Sequence, residues 1–458
     1  MIRTDSRKVK PGDTFIALKG ISSNGDEYIE SAIANGAAKI VCTEGTYSVE
    51  TINVPDTRKY LEQALEEEYG DVISRMTLIG LTGTNGKTST CYFISEALNA
   101  LGRKCAYIGT IGFYMGEKVC SLPNTSVDLC HLYELLLTAH ENGYDTVALE
   151  ASSQGLDMGR FNTISFDVAA FTNLTEDHLD YHKTFEAYAL CKQMLFKKLK
   201  DGGTTILNTD DPYYSYFLPG ENGLKSGRLI TFGTGECDFR ILDVDVQDVT
   251  TLKFSAYGRE YTVETDMIGM HNMYNLVTCI ACLYAIGISM DEILNVIPQV
   301  HLPAGRMERY RYGSNTVFVD FAHTPDAFEK IYEAVAPLKN GRIYTIFGCT
   351  GSREREKRPV MTRLALENSD YVIISSDDLH FENPDSITAD MLEGNEKFIN
   401  YEVNYDRPTA IRKAMSMMKD KDILFLLGLG HQDSIDINGK AVHHSDREVV
   451  LQVISEGK

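Results

Sequence analysis

The chain has no tryptophan, only 12 prolines in 458 residues, and 44 lysines and arginines against 65 aspartates and glutamates. Without Pro-rich, repetitive or low-complexity tracts, it has no composition for a fibrous repeat or a long disordered linker. The shortage of basic residues leaves a formal net charge of -21 at pH 7. A surface of that sign repels a phosphate backbone, so no nucleic acid is expected as a partner. An anionic substrate must instead meet a local cluster of Lys and Arg. No apolar run reaches the roughly 18 residues of a membrane span, and the polar start MIRTDSRKVKPGD lacks a secretion signal. The ten cysteines are scattered, mostly within apolar runs, which suits reduced thiols of a cytoplasmic protein better than a disulfide framework. Cys279 and Cys282 form a lone CxxC inside TCIACLYAIG, a buried-helix pattern, and packing is the better reading than metal.

What remains is an ordinary globular composition, 43% hydrophobic and 24% charged, long enough for roughly two to four domains. Residues 1–75 read as a small α/β unit, with strands DTFIALKG and AAKIVCTEG around the helix DEYIESAIANGA. Over 76–304 strands and helices alternate: CAYIGTIGF (105–113), TVALEAS (146–152), DVAAFTNL (167–174) and TTILNTDD (204–211). Such alternation predicts a mostly parallel, doubly wound sheet with ligands at its strand ends. Residues 225–265 are β-rich and read as an appended antiparallel layer, before the helix NMYNLVTCIACLYAIG. Pro303 and Gly305 mark a linker, after which residues 305–458 alternate again as a Rossmann-like unit.

The organising stretch is MTLIGLTGTNGKTST, 76–90. An apolar strand, a glycine turn (Gly83, Thr84, Asn85, Gly86) and a helix start (Lys87, Thr88, Ser89) present backbone N–H groups to an anion. Lys87 supplies a point charge for β- and γ-phosphates, and the Thr88 hydroxyl is placed to ligate Mg²⁺. Leu81 stands where the full P-loop pattern has its first glycine.

Other candidates fall at predicted strand ends. Glu150, in LEASSQGLDMGR, is a candidate direct or second-sphere Mg²⁺ ligand, with Ser152, Ser153 and Arg160 available for an anionic substrate, although Ser-Ser taken alone is more often a helix N-cap. His178 and His182, in TNLTEDHLDYH, are four residues apart and offer a metal pair or two structural hydrogen-bonders. Lys192 sits on an apolar helix, where a lysine is costly unless paired or modified. Asn272 and Asn275 can read an adenine edge or cap a helix. Asp320 and His323 end the first strand of the C-terminal unit, and GSREREKRP (351–359) is a glycine-plus-basic loop for carboxylate or phosphate.

In order along the chain, DSRKVKPGDTFIALKG, GTNGKTST, LEASSQGLDMGR, TNLTEDHLDYH, GMHNMYN, PAGRMER, DFAHTPDA, GCTGSREREKRP and GLGH resemble the Mur ligase family. The likeness spans nearly the whole chain and is strongest to members that add a diamino acid to UDP-N-acetylmuramoyl-L-alanyl-D-glutamate. It implies three α/β domains: a small N-terminal UDP-substrate domain (1–75), a central P-loop-type ATPase domain (76–304) and a C-terminal amino-acid domain (305–458). It further implies a monomeric ligase using ATP and Mg²⁺ through an acyl phosphate. By resemblance, Lys87 stabilises the transferring phosphoryl group, Thr88, Glu150 and His178 hold Mg²⁺, and Lys192 is carbamylated to bind a second ion. Asn272, Arg306 and Asp320 contact nucleotide. Ser6, Ser22, Asn124, Thr125, Ser126, Ser152, Met158 and Arg160 take the UDP-muramoyl peptide.

The departures cluster. Gln154 stands for the family's substrate histidine and Met158 for a polar contact. Members using meso-diaminopimelate carry Asp-Asn-Pro-Arg, whereas this chain has Asp377, Asp378, Leu379 and His380. The family's Gly-Lys-Gly-His-Glu is Gly428, Leu429, Gly430, His431 and Gln432. Arg358 is matched to the residue that holds the amino acid's α-carboxylate. Losing a bidentate arginine argues against meso-diaminopimelate, and Asp378 then suits a side-chain ammonium, with L-lysine the leading expectation. A paralogue joining another carboxylate and amine outside the main cell-wall pathway, and a silent nucleotide binder, are the alternatives.

Overall fold

The computed structural model describes residues 1–19, 24–221, 223–247 and 249–456. Three sheets, of four, eleven and six strands, succeed one another along the chain. The first is parallel, ordered Ile2–Arg3, Thr14–Ile16, Lys39–Cys42 and Glu50–Asn53. Its two faces follow the period of a strand: Phe15, Ile40 and Cys42 point into a small core with Ile29, while Ile16 and Val41 point into the large core of the next unit. The helix Thr57–Arg75, capped by the Asp56 carboxylate, leads into the central strand Thr77–Thr82.

Thr77–Thr82 lies between Thr146–Glu150 and Phe166–Phe171, parallel to both. Cys105–Gly109 extends the parallel sheet on one side, and Leu199–Asn208 and Arg228–Gly233 extend it on the other. Strand order therefore reverses around Thr77–Thr82, which opens a crevice at its carboxyl end. The glycine loop fills that crevice.

Two sequence expectations need correction. Residues 105–113 are not one strand: Cys105–Gly109 turns back as Gly112–Met115. A Cβ at Gly109 would lie 2.2 Å from Glu150 Oε1, so the chain turns where it passes over that carboxylate. The appended antiparallel layer expected over 225–265 is antiparallel only from Phe239 onward, and it extends the main sheet. Phe239–Val246, Thr250–Ala256 and Arg259–Thr265 are antiparallel to one another, but Phe239 continues the main sheet beside Phe232. Phe239, Ile241, Leu252 and Phe254 alternate into the same core as the helix Met270–Ala285, which ties the hairpins to the sheet.

The third sheet runs Glu308–Tyr312, Asn315–Asp320, Ile423–Leu427, Ile343–Phe347, Tyr371–Ile374 and Tyr401–Val403. Its first pair is antiparallel and the rest are parallel, with a core on each face. A hairpin, Ser434–Ile437 with Lys440–His443, stands at its carboxyl edge. Among the described residues no helix is long and apolar enough to cross a membrane.

Candidate active site

The glycine loop is built for close approach. Gly83 and Gly86 have φ of +148° and +88°, and a Cβ at either would lie 1.9 Å from Thr172 Oγ1 or 2.4 Å from Asn275 Oδ1. Only glycine fits there. Asn173 and Thr172 hold the loop: Asn173 Oδ1 accepts the Asn85 N–H at 2.9 Å, and Thr172 Oγ1 donates to Asn85 O at 2.6 Å. The helix Lys87–Ala100 starts directly behind Gly86, its amino end facing the crevice. Thr84 Oγ1 meets the Tyr188 hydroxyl at 3.0 Å, and Ser89 lines the cavity mouth.

Lys87 Nζ donates to the carbonyls of Gly83 and Thr84, each at 2.8 Å. Lys192 Nζ donates to the same Gly83 carbonyl at 2.8 Å and lies 4.3 Å from the centre of the Tyr188 ring. Burial lowers the pKa of Lys87, against Glu150 and Asp177. It lowers that of Lys192 well below the ordinary lysine value, with Lys87 adding to the effect. Lys192 is 1% exposed and has no carboxylate hydrogen-bonded to it among the described contacts, so burial disfavours its charged form.

Glu150 is buried beside Thr88, whose hydroxyl donates to Oε2 at 2.9 Å. Thr110 donates its N–H to Oε1 at 2.8 Å and its hydroxyl to Oε2 at 3.0 Å, and the Tyr107 hydroxyl also bonds Oε1. Tyr107 and Thr110 carry no motif of their own, which is why they are not legible in the sequence. His178 caps a one-turn helix with φ of +55° and stays 45% exposed, its Nε2 3.5 Å from Asp177 Oδ2. Desolvation lowers its pKa, against Asp177 and with Lys87 and Lys192. His182 does not pair with it, because its Nε2 meets Ser153 Oγ at 2.9 Å. Among the described residues no group of three or more His, Cys, Asp or Glu side chains is arranged to hold a metal.

A cavity of about 600 Å³ opens from the loop between the central and C-terminal units. Asn85, Asn272, Asn275, Arg306, Asp320 and His323 all line it. Asn272 Nδ2 donates to Ile268 O at 2.9 Å, and Asn275 Nδ2 lies 3.5 Å from Asn272 Oδ1. Asp320 accepts the N–H groups of Met307 and Ala322 at 2.6 and 2.7 Å, while burial raises its pKa against Arg306. His323 Nδ1 meets Phe321 O at 2.8 Å, and burial, then Lys357, pushes its pKa down to about 4. The Arg306 guanidinium lies over Phe321, reaches Thr88 Oγ1 at 3.5 Å, and leaves Nε buried without a partner. An orphaned arginine donor, the amino end of the helix Lys87–Ala100 and this volume together fit a nucleoside triphosphate.

Away from the loop, Ser126 Oγ donates to Glu150 O at 2.9 Å and contacts Ser152 Oγ at 3.0 Å. Arg160 binds the Ser126 carbonyl and lies 3.3 Å from Met158 Sδ, and Thr125 meets Thr110 at 3.0 Å between their hydroxyls. These residues form one face below Glu150. Asn124 is exposed, and Ser6 is buried, its carbonyl accepting from Asn35 Nδ2 at 2.9 Å. Ser22 lies outside the described residues.

At the C-terminal sheet, Asp377 Oδ1 accepts from Thr350 Oγ1 and the Asp378 N–H at 3.1 and 2.7 Å, and burial raises its pKa. A Cβ at Gly428 would lie 2.4 Å from Asp377 Oδ2. Asp378 accepts Gln432 Nε2 at 3.1 Å and the Asp436 N–H at 2.7 Å, and His380 Nδ1 is 3.4 Å from Asp436 Oδ2. Arg358 departs from its expected role. It is fully buried, and its two Nη atoms bond Glu382, Asp390 and the Thr350 carbonyl at 2.8 to 3.1 Å. That leaves no Nη face for a ligand carboxylate. Arg353, on the same loop, is exposed.

Three family models cover the chain: the Mur ligase family catalytic domain over residues 1–80, the Mur ligase middle domain over 81–283, and the Mur ligase glutamate ligase domain over 305–430. The chain belongs to the Mur ligase family. It is an ATP-dependent, amide-forming acid–amino-acid ligase. It is similar to the UDP-N-acetylmuramoyl-L-alanyl-D-glutamate–2,6-diaminopimelate ligase of Aquifex aeolicus, 37% identical over 99% of this chain and 93% of the relative. The Bacillus cereus ligase of the same name is 34% identical over 99% of this chain and 94% of the relative. A solved structure of such a 2,6-diaminopimelate ligase matches with TM-score 0.69 and 30% identity over 100% of this chain and 94% of that one. The MurF ligase of Thermotoga maritima, solved with ADP, shares the fold with TM-score 0.72 at 19% identity, over 99% of this chain and 97% of its own.

Proposed function

We propose that this Mur ligase joins a diamino acid to the terminal carboxylate of UDP-N-acetylmuramoyl-L-alanyl-D-glutamate. The acceptor is the one named for its full-length relatives. The observation that carries the chemistry is the convergence of Lys87 and Lys192 on the Gly83 carbonyl, beside the Thr88–Glu150 hydrogen bond and on the same loop as Asn85 and Gly86, which line the nucleotide cavity.

Thr88 and Glu150 present hard oxygen donors, and His178 a nearby nitrogen, a sparse set that suits a Mg²⁺ keeping several waters and phosphate oxygens. Mg²⁺ there would neutralise charge on the transferring phosphoryl group. The loop amides and Lys87 bind and orient the phosphates, and Arg306 meets them from the C-terminal side. The substrate carboxylate attacks the γ-phosphorus and ADP leaves. The amino acid's neutral amine then attacks the acyl carbon, phosphate leaves, and the amine proton passes to solvent or a basic side chain. Burial disfavours the charged form of Lys192, which suits it to carbamylation into an oxygen ligand.

The relatives are named for 2,6-diaminopimelate. One feature of this chain favours a second reading, a diamino acid without a distal carboxylate, such as lysine. Asp378 and Gln432 face each other at 3.1 Å with His380 in place of an arginine, and a carboxylate beside an amide better receives an ammonium than a carboxylate. Arg353 is the arginine left to meet the α-carboxylate.

ATP-dependent phosphate release with the UDP-dipeptide, across lysine, ornithine and meso-diaminopimelate, tests both readings. Turnover with meso-diaminopimelate alone supports the relatives' amino acid, and turnover with lysine or ornithine alone supports the second reading. No release with any of them, on protein that binds ATP, removes the proposed acceptor.

A further inference from the structure

Glu382 takes no part in the reaction outlined above, yet it accepts four hydrogen bonds. Arg358 Nη1 and Nη2 reach it at 2.8 Å each, Arg355 Nη2 at 3.1 Å, and the backbone N–H of Ser352 at 2.8 Å. All four donors belong to residues 352–358, the stretch that carries Arg353. Glu382 itself follows directly on Asp377–Phe381, the segment that carries Asp378 and His380. The same two segments meet once more where Gly351 N–H donates to Asp378 O at 2.7 Å, and a Cβ at Gly351 would lie 2.1 Å from Leu379 O.

We propose that Glu382 is a positioning residue for the incoming amino acid. By gripping Arg358 and the Ser352 amide, it fixes the separation between the loop bearing Arg353 and the segment bearing Asp378. It thereby sets the span between the sites for the α-carboxylate and the distal group. The assignment rests on the amino-acid site proposed above.

The chemistry supports a clamp rather than a ligand site. Glu382 is 10% exposed on its side chain, and its bidentate pair with Arg358 is the geometry in which arginine and carboxylate hold each other most rigidly. The hydrogen bonds from Arg358 hold the Glu382 carboxyl down at about 2, so the clamp stays ionised throughout the working pH range. Arg358 is also held by Asp390 at 2.8 Å, which fixes it whether or not substrate is present.

Glu382→Gln tests the clamp, with Glu382→Asp as the conservative variant should Gln impair folding. In Glu382→Gln the KM for the amino acid should rise about tenfold while those for ATP and the UDP-dipeptide stay unchanged. Glu382→Asp keeps the charge on a shorter stem, and its KM should fall between the two. Glu382→Gln combined with Arg353→Ala should lose less than the product of the single effects, because the clamp acts through Arg353. Hydrogen exchange at the Ser352 amide should speed in Glu382→Gln without any substrate. Unchanged exchange there overturns the clamp independently of activity. An unchanged or lowered amino-acid KM in Glu382→Gln, with a large rise in Arg358→Lys, would instead make Arg358 a direct ligand. Absence of turnover by the unaltered chain overturns the proposed reaction, and this assignment with it, whereas turnover with an insensitive KM overturns the assignment alone.

Discussion

Lys87 and Lys192 donate to one carbonyl oxygen, that of Gly83, each at 2.8 Å. A charge on one disfavours a charge on the other, so Lys87 adds to burial in lowering the pKa of Lys192. The unfolded chain therefore binds more protons than the folded one between the depressed values and the ordinary 10.5, and stability rises with pH across that window.

Lys192→Met follows from this relation. It removes the buried amine but keeps its volume, so the melting temperature at neutral pH should rise, by about 1 kcal/mol of stability. Ligation should be lost. In the unaltered enzyme, intact mass measured with and without bicarbonate should differ by a carbamate, and a mass insensitive to bicarbonate would leave Lys192 as a plain amine.

Lys87→Ala removes the charge that meets the phosphates. Positioned cations of this kind contribute about 10³-fold or more to phosphoryl transfer, so kcat should fall by at least about that factor. Binding of ATP should weaken far less, since the loop amides and the cavity remain. Equilibrium binding beside phosphate-release kinetics separates the two effects.

Tyr107→Phe tests the support behind Glu150. The Tyr107 hydroxyl and both donors of Thr110 orient that carboxylate. Outer partners of a metal ligand typically matter by about 10-fold or more, so the Mg²⁺ concentration for half-maximal activity should rise by about tenfold. Binding of Mn²⁺ with nucleotide, followed by its spin signal, should weaken in parallel. An unchanged Mg²⁺ requirement would make the tyrosine a packing residue.

Arg407 and Asp446 form a fully buried bidentate pair, at 2.9 and 2.7 Å, and Arg407 also holds the carbonyls of Ser376 and Leu427, the residues just before Asp377 and Gly428. Desolvation pushes the Asp446 carboxyl up, but Arg407 and His444 hold it at about 2. Its folded pKa lies below the ordinary 3.8, so it contributes stability above that value and loses it as pH falls toward 2. Arg407→Ala should destabilise by about 3–5 kcal/mol, measured by urea unfolding at neutral pH, because it leaves a buried charge unpaired.

The glycine loop, the parallel sheets and Glu150 were legible because each is dictated by local sequence: a buried run, a turn only glycine makes, a charge at a strand end. Lys192 was legible as an anomaly, a lysine among apolar neighbours. The fold of residues 105–113 was not, because Gly109 and Gly112 bracket a two-residue turn inside an apolar run, and the carboxylate that holds the turn through Thr110 lies far on in the chain, at Glu150. Arg358 misled for the related reason that a basic loop advertises charge but not its partners. Glu382 and Asp390, 24 and 32 residues on, claim that arginine.

The shared face of the N-terminal sheet has a mechanical consequence. Ile2, Ile16 and Val41 are bricks in the wall of the central unit, while the sheet's private core is small. The C-terminal sheet has a core on each face, and the central unit lends them only one buried side chain, Ile268, with Val246 and Leu302 against it. Heated or pulled, the molecule should come apart as two cooperative blocks rather than three, roughly the first 300 residues failing together.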